Sequence, residues 1–197
     1  MDRAELVGDP MYDAFVEYST RLPINEIKLT LLKRGRTTIP YRYYYLTCHR
    51  EENTVKENAL YEIFKAMNSL DAPTIYPVHP RNKERALRLQ ESHGFHQIIL
   101  VEPVGYLEST ALVRNAEKIV TDSGGLQREA FFAGKKCVTI LDFVAWPETM
   151  IDNRNTLSAP IAKEILKNLT LEQTIRSDYL PFGDGHAATK IVRELEL

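Results

Sequence analysis

The sequence predicts an α/β domain in which a parallel sheet is covered by helices on both faces. Two observations support this fold class. Short apolar runs typical of buried strands alternate with longer segments whose apolar residues recur at helical spacing. The links between these segments are short, and such an alternation favours right-handed crossovers between parallel strands. The length of 197 residues suits one domain, or one and a half, and is sufficient for a sizeable core.

The first 40 residues predict two helices. Asp9 is a suitable N-cap and Pro10 a suitable first residue for a helix over Met11–Thr20, whose apolar residues recur at helical spacing. Residues 24–33 also fit a helix by their pattern. We expect Arg34–Pro40 to be a basic connector that leads into the sheet.

The rest of the chain predicts five strands and the helices between them. The strands are Tyr43–Cys48, Thr74–Val78, Gln97–Val101, Lys118–Thr121 and Lys136–Leu141. The helices that link them are Val55–Leu70, Lys83–His93, Leu107–Asn115 and Gly125–Ala133. Three later segments also have a helical pattern, with only a weak strand signal between them, and these are Ala159–Asn168, Leu171–Ser177 and His186–Glu194.

Composition and charge exclude several classes of protein. The formal net charge is -2 and no basic run occurs, so a protein that wraps nucleic acid is disfavoured. No apolar stretch approaches the roughly 20 residues that span a bilayer, and the N-terminus lacks the pattern of a signal peptide. We therefore expect a cytoplasmic protein without a membrane partner. Cys48 and Cys137 lie in apolar runs, which indicates buried thiols rather than nucleophiles or metal ligands.

The segment Thr121–Glu129 predicts a phosphate-binding turn between a buried strand and a helix. Gly124 and Gly125 let an anion approach backbone N–H groups that have no partner within the helix, at the positive end of the helix dipole. Ser123 adds a hydroxyl group, and Glu129 lies one helical turn beyond Gly125, within reach of the hydroxyls of an attached sugar. The alternative is that Ser123 only caps a core helix and the glycines serve only the turn.

Polar residues recur at the ends of the predicted strands, where open parallel sheets bind ligands. Singly, a histidine at a strand end is often structural and an arginine there is often a surface cation. Gathered at the same edge as a glycine turn, such groups favour an anionic, phosphorylated ligand. They are His49, Arg50, His79, Arg81, Glu102, Tyr106 and Ser123.

Several of these residues lie within motifs that resemble a known family. The motifs are Leu46–Asn53 (LTCHREEN), Pro77–Pro80 (PVHP), Glu102–Pro103 with Tyr106–Leu107, Thr121–Ala130 (TDSGGLQREA), Trp146–Glu148 (WPE) and Phe182–Ala187 (FGDGHA). In this order they resemble the non-hydrolysing UDP-N-acetylglucosamine 2-epimerases. Four ordered motifs with plausible spacings are far more specific than any one of them alone.

The resemblance implies a fold of two Rossmann-like domains that face each other across a cleft, as in glycosyltransferases of the GT-B type. Residues 1–197 match only the C-terminal, UDP-binding domain. The N-terminal domain, in which the family places acidic catalytic residues, is the partner that we expect this chain to lack. The resemblance further implies a homodimer at full length, a role in cell-surface polysaccharide biosynthesis, and no cofactor or metal.

The family reaction inverts the sugar at C2 by anti elimination of UDP to 2-acetamidoglucal and syn re-addition. Such a site must hold UDP, neutralise the leaving diphosphate and offer a base for the C2 proton. The resemblance implies that His49 is catalytic and lies with Arg50 at the pyrophosphate, and that His79 lies near the nucleotide or sugar. It implies that residues 101–106, ending at Tyr106, line the uracil. It further implies that Ser123, Gly124 and Gly125 bind phosphate and that Glu129 binds the ribose. We expect the isolated domain to be inactive.

Two departures from the family pattern leave the sugar open. Trp146 stands where family members commonly carry an arginine before the Pro-Glu pair, and Asp152–Asn155 lacks an expected glycine and tryptophan. The substrate is therefore a UDP-N-acetylhexosamine or a related uronic acid. One alternative function is a GT-B glycosyltransferase domain, against which His49–Asn53 argues. Another is a stand-alone nucleotide-sugar binding module.

Overall fold

The computed structural model describes residues 4–55 and 57–196. The strands are β1 (Lys28–Thr30), β2 (Arg36–Thr38), β3 (Tyr44–Thr47), β4 (Thr74–Pro77), β5 (Ile98–Val101), β6 (Lys118–Thr121), β7 (Lys136–Thr139) and β8 (Asn155–Leu157). The α-helices are α1 (Pro10–Tyr18), α2 (Glu51–Thr54), α3 (Glu57–Asn68), α4 (Lys83–His93), α5 (Tyr106–Asn115), α6 (Gly124–Phe132), α7 (Ala162–Thr170) and α8 (Ala187–Leu195). None of the helices within these residues combines the length and the apolar character needed to cross a bilayer.

Six of the strands form one parallel sheet in the order β5-β4-β3-β6-β7-β8. The chain builds outward from β3 to β5 on one side, then returns to the middle and builds from β6 to β8 on the other. This reversal leaves a crevice outside the carboxyl ends of β3 and β6, the position at which open α/β sheets bind ligands.

Both faces of the sheet are buried, and the alternation of three consecutive tyrosines at the start of β3 shows how. Tyr44 packs into the apolar cluster that contains Phe64 of α3, whereas Tyr43 and Tyr45 face the cluster that contains Leu112 of α5. Buried phenol groups need hydrogen-bond partners. The Tyr43 hydroxyl accordingly donates to the Leu112 carbonyl at 2.7 Å. Helices therefore cover the sheet on both sides, as the sequence predicts.

The predicted strands at β3 to β7 and the helices between them are confirmed, with shifts at their ends. The helix predicted over Val55–Leu70 corresponds to α3, and Lys56 of that prediction lies outside the described residues. The Met11–Thr20 helix is α1, and the Asp9 side chain caps it by accepting from the Met11 N–H at 2.9 Å.

The helix predicted over residues 24–33 is wrong. Only Ile24–Glu26 forms a 3₁₀ turn, and β1 follows it in an antiparallel pair with β2, which occupies the predicted connector. The alternation of buried Ile27 and Leu29 with exposed Lys28 has the period of a strand. The end of β1 also continues the sheet, because the Glu102 N–H donates to the Thr30 carbonyl at 2.8 Å.

Two further differences lie near the C-terminus. Leu171–Ser177 forms no helix, since its polar groups bond to other segments: the Thr174 N–H donates to the Asp152 carbonyl at 3.1 Å. No strand is predicted at β8, which is short and polar. Its Asn155 is nevertheless buried, because Asn155 Oδ1 accepts from Thr139 Oγ1 at 2.7 Å.

Candidate functional site

The loops after β3 and β6 are joined by one carboxylate, that of Asp122. This side chain is fully buried. Its oxygens accept from the backbone N–H of His49 at 3.0 and 3.1 Å and from that of Arg50 at 2.8 Å. The Cys48 thiol and the Asn53 amide donate to it as well, each at 3.3 Å. The segment that follows β3 is therefore fastened directly beside the phosphate turn.

His49 is held in one orientation by the same carboxylate. Its Nδ1 lies 3.1 Å from Asp122 Oδ1, while the side chain stays 44% exposed. The hydrogen bond to Asp122 raises the pKa of His49 against the opposing effect of burial. Burial alone would raise the pKa of Asp122, but the bonds from His49 and from the Arg50 amide bring it below its usual value. The pair thus favours the protonated form of the imidazole beside a carboxylate, and the second ring nitrogen, Nε2, makes no hydrogen bond to the described residues.

The phosphate turn has free backbone donors. Ser123 is the N-cap of α6, and its Oγ accepts from the Leu126 N–H at 3.3 Å. The capping interpretation of Ser123 is therefore correct as far as it goes. It leaves the N–H groups of Gly124 and Gly125 without an acceptor among the described residues, and these are the groups that an anion binds at a helix N-terminus.

Arg50 brings a positive charge to this turn. Its Nε donates to the Asp122 carbonyl at 2.8 Å. Its guanidinium lies 5.5 Å from the centre of the Phe143 ring, and Nη1 is 3.5 Å from Glu52 Oε1. The arginine is thus anchored next to the start of α6.

Glu129 and Tyr106 lie together further along the crevice. Glu129 is 6% exposed, and its carboxyl group accepts no side-chain hydrogen bond from the described residues. Burial raises the pKa of Glu129 to about 7, although Arg128 acts in the opposite direction. Burial, and next the charge of Glu129, raise the pKa of Tyr106, which begins α5. A buried carboxyl without a partner is suited to accept hydroxyl groups from a ligand.

His79 lies at the same edge of the sheet but is not brought to the phosphate turn. Its Nδ1 accepts from the Arg81 N–H at 3.3 Å and so caps the 3₁₀ turn Pro80–Asn82. A cavity of about 400 Å³ lies between this turn and His49, and Arg81 also lines it. The predicted role of His79 stays a prediction.

A separate cavity of about 250 Å³ lies beside the segment that follows β5. Residues 102–105 form one side of it, and they belong to the segment 101–106 that the family resemblance assigns to the uracil, an assignment that stays a prediction. The other side is β1, which was not predicted as a strand. Both segments line this cavity, which is large enough for a small heterocycle.

The crevice therefore combines free backbone donors, an anchored arginine, an oriented imidazole and an unpartnered carboxyl. A family model described as UDP-N-acetylglucosamine 2-epimerase matches residues 2–196. The chain belongs to this family. The predicted fold class, an α/β Rossmann-like parallel sheet with helices on both faces, is confirmed as well.

The names of similar proteins agree with this family assignment. A UDP-N-acetylglucosamine 2-epimerase homolog of Methanococcus maripaludis is 36% identical over 194 residues, which cover 96% of this chain and 53% of the relative. A UDP-2,3-diacetamido-2,3-dideoxy-D-glucuronate 2-epimerase of Pseudomonas aeruginosa is 36% identical over 155 residues, or 76% of this chain and 43% of the relative. The chain thus spans about half the length of the curated relatives that it matches.

A solved structure of the family contains ligands. It is the UDP-GlcNAc 2-epimerase of Methanocaldococcus jannaschii in complex with UDP-GlcNAc and UDP. The identity is 29% and the TM-score is 0.78, over 98% of this chain and 54% of the other. The similarity therefore extends over almost the whole of the present chain.

Sequence reasoning missed Asp122, although the residue lies inside the motif that it singled out. The sequence contains a signal for its burial, because an aspartate directly after a buried strand and just before a glycine turn has few solvent-exposed positions open to it. Its partners are 69 to 74 residues away in sequence, and only the pairing of β3 with β6 brings them close.

We predict that Asp122→Asn destabilises the fold at pH 7 by about 1 to 3 kcal/mol, because an amide accepts less strongly and leaves buried donors unsatisfied. The carboxylate stabilises the fold above its unfolded pKa, about 4, and this contribution is lost as pH falls through the lower folded pKa. The difference between variant and parent should therefore narrow in acid. Urea unfolding measures it, with exposed Asp178→Asn as the matched control. Equal stability of Asp122→Asn and the parent at pH 7 would contradict this account.

We predict that Glu129→Gln stabilises the ligand-free fold more at pH 8 than at pH 5. The folded pKa, about 7, is above the unfolded value. Glu129 therefore costs stability as pH rises between the two values, by on the order of 3 kcal/mol. Thermal or urea unfolding across this range is the measurement, with Glu194→Gln on the exposed side of α8 as control. A stability difference independent of pH would show that the carboxyl titrates normally.

Proposed function

We propose that this chain is the UDP-binding half of a UDP-N-acetylglucosamine 2-epimerase, which interconverts UDP-GlcNAc and UDP-ManNAc. The observation that carries the proposal is the junction at Asp122, which holds His49 and Arg50 against the free amides of the phosphate turn. Family membership and the ligands bound to the M. jannaschii relative support it. Family membership also favours this function over a glycosyltransferase domain.

The proposal assigns each part of UDP to a part of the crevice. The diphosphate contacts the N–H groups of Gly124 and Gly125, the Ser123 hydroxyl and the Arg50 guanidinium. The ribose hydroxyls donate to the buried Glu129 carboxyl, whose lack of a protein partner supports this role. The uracil occupies the cavity between β1 and the segment that follows β5, with Tyr106 at its end and His79 near the nucleotide or sugar.

In the proposed reaction, His49 acts on the leaving group. Its Nε2–H donates to a diphosphate oxygen while the bond to the sugar breaks, and Asp122 keeps the imidazole oriented and favours its protonated form. Donors that are fixed in advance stabilise such developing charge most effectively. The base for the C2 proton is assigned to an N-terminal Rossmann-like domain, since this chain spans about half the length of its relatives. We propose that the isolated chain does not epimerise, and that the full-length enzyme is a homodimer that serves polysaccharide biosynthesis.

The relatives that the chain matches are named for different sugars. The P. aeruginosa relative is named for a diacetamido uronic acid, whereas the two archaeal relatives are named for UDP-N-acetylglucosamine. The residues of the UDP site recognise the nucleotide, which these substrates share.

We predict that the chain binds UDP with micromolar to millimolar affinity, because one wall of the proposed cleft is missing. His49→Ala should weaken this binding by about 1.5 to 3 kcal/mol, the range of a hydrogen bond to a charged group. Uridine, which has no phosphate, should bind both forms equally. Calorimetric titration measures the affinities, and His96→Ala, an exposed histidine before β5, is the matched control.

The UDP affinity measured in these titrations should depend on pH. Diphosphate binding favours the imidazolium, so UDP affinity should fall as pH rises through the bound-state pKa of His49. The dependence should flatten in His49→Ala. If His49→Ala lowers UDP and uridine affinity equally, the histidine supports the fold and not the diphosphate.

We predict that the purified chain does not exchange the C2 proton of UDP-N-acetylglucosamine in deuterated water. Proton NMR follows that signal directly. The same preparation must first be shown to bind UDP, so that a negative result reports on chemistry and not on folding. Loss of the C2 signal at enzyme-dependent rates would place the base within these residues, and the proposed division between two domains would be wrong.

A further inference from the structure

Trp146, the only tryptophan of the chain, is clamped in the loop after β7. The Arg128 guanidinium lies 4.0 Å from the centre of its ring, and the Phe182 ring meets it edge-on with centroids 6.3 Å apart. Arg128 Nη1 is in turn bonded to Asp9 Oδ2 at 2.6 Å. Three distant segments therefore fix the indole in one position.

The fixed indole presents its polar edge to the phosphate turn. A Cβ built on Gly124 would lie 3.3 Å from Trp146 Nε1 and 3.7 Å from Cδ1. The N–H edge of the ring, and not its hydrocarbon edge, thus borders the N-terminus of α6. Among the described residues, Nε1 has no acceptor, although a partly buried indole N–H usually finds one. A third free donor accordingly lies beside the amides of Gly124 and Gly125.

The neighbouring cation is already engaged. The side chains of Arg128 and Asp9 are 18% and 17% exposed, and each is the ion-pair partner of the other. Arg128 also lies against the indole face, so its charge serves to hold Trp146 in place. Arg128 Nε also has no partner among the described residues, but it is buried, whereas the neutral indole N–H borders the turn.

We propose that Trp146 Nε1–H donates a hydrogen bond to a phosphate oxygen of the nucleotide bound at α6, an inference that rests on the proposed function. Trp146 is then a binding residue of the diphosphate, and Gly124 is required as glycine because a Cβ would separate the indole from the turn. The nucleotide is contacted by neutral donors on the Trp146 side and by Arg50 on the other.

The test is Trp146→Phe, which keeps an aromatic ring for Arg128 and Phe182 but removes the N–H. We expect UDP affinity to fall about 5- to 10-fold, the loss typical of one such hydrogen bond, with uridine affinity unchanged. Tyr179→Phe, which removes a polar group from an aromatic ring that does not border Gly124, should leave both affinities unchanged. Thermal unfolding checks that each variant is folded.

A second measurement uses the unaltered chain, so it does not depend on how the variants fold. Because Trp146 is the single tryptophan, its emission reports on this position alone. UDP should change the emission with the affinity found by calorimetry, and uridine should not.

The outcomes separate this inference from the proposed function. Equal UDP affinity in Trp146→Phe and the parent, or an equal loss for UDP and uridine, overturns the role of Trp146 and leaves UDP binding standing. Tryptophan emission that UDP leaves unchanged also overturns the role of Trp146 and leaves UDP binding standing. Failure of the parent chain to bind UDP overturns both.

Discussion

The buried carboxylate of Asp122 organises the crevice. Burying an ionised carboxylate is costly unless donors surround it. Here the donors come from one short stretch, Cys48–Asn53, together with the imidazole of His49. The cost of burial is thereby offset only when that stretch lies against the start of α6. The same interaction orients His49 and raises its pKa, so the position of the loop and its chemistry share one cause.

The sheet supplies the scaffold for this interaction. β3 and β6 are adjacent and parallel, so their carboxyl ends place two loops side by side even though about 70 residues separate them in sequence. The buried tyrosines at the start of β3 and directly before it are satisfied by hydrogen bonds such as that from Tyr43 to the Leu112 carbonyl. Polar groups within a tightly packed core make the position of the strand specific. The position of the loop residues that follow the strand is thereby fixed as well.

Much of the fold follows from local pattern, and the differences have physical reasons. Apolar runs predict β3 to β7 because those strands are buried on both faces, as parallel strands are. The prediction fails for residues 24–33, where the apolar residues of β1 follow a two-residue period rather than a helical one. It also fails for β8, whose polar Asn155 is satisfied by Thr139 of the neighbouring strand β7. It fails for Leu171–Ser177 because bonds to remote segments replace helical ones.

The candidate site, like the fold, is predictable from the sequence only in part. Glycines at a strand-to-helix junction are visible in sequence, whereas Asp122 and the Trp146 clamp depend on contacts across the chain.

Hydrogen exchange of backbone amides, with and without UDP, tests most directly whether the two loops form one site. The account predicts that UDP slows exchange at Gly124 and Gly125, and also over residues 49–54 of the other loop. Protection of one loop without the other, or protection only at the amino ends of the strands, would contradict it.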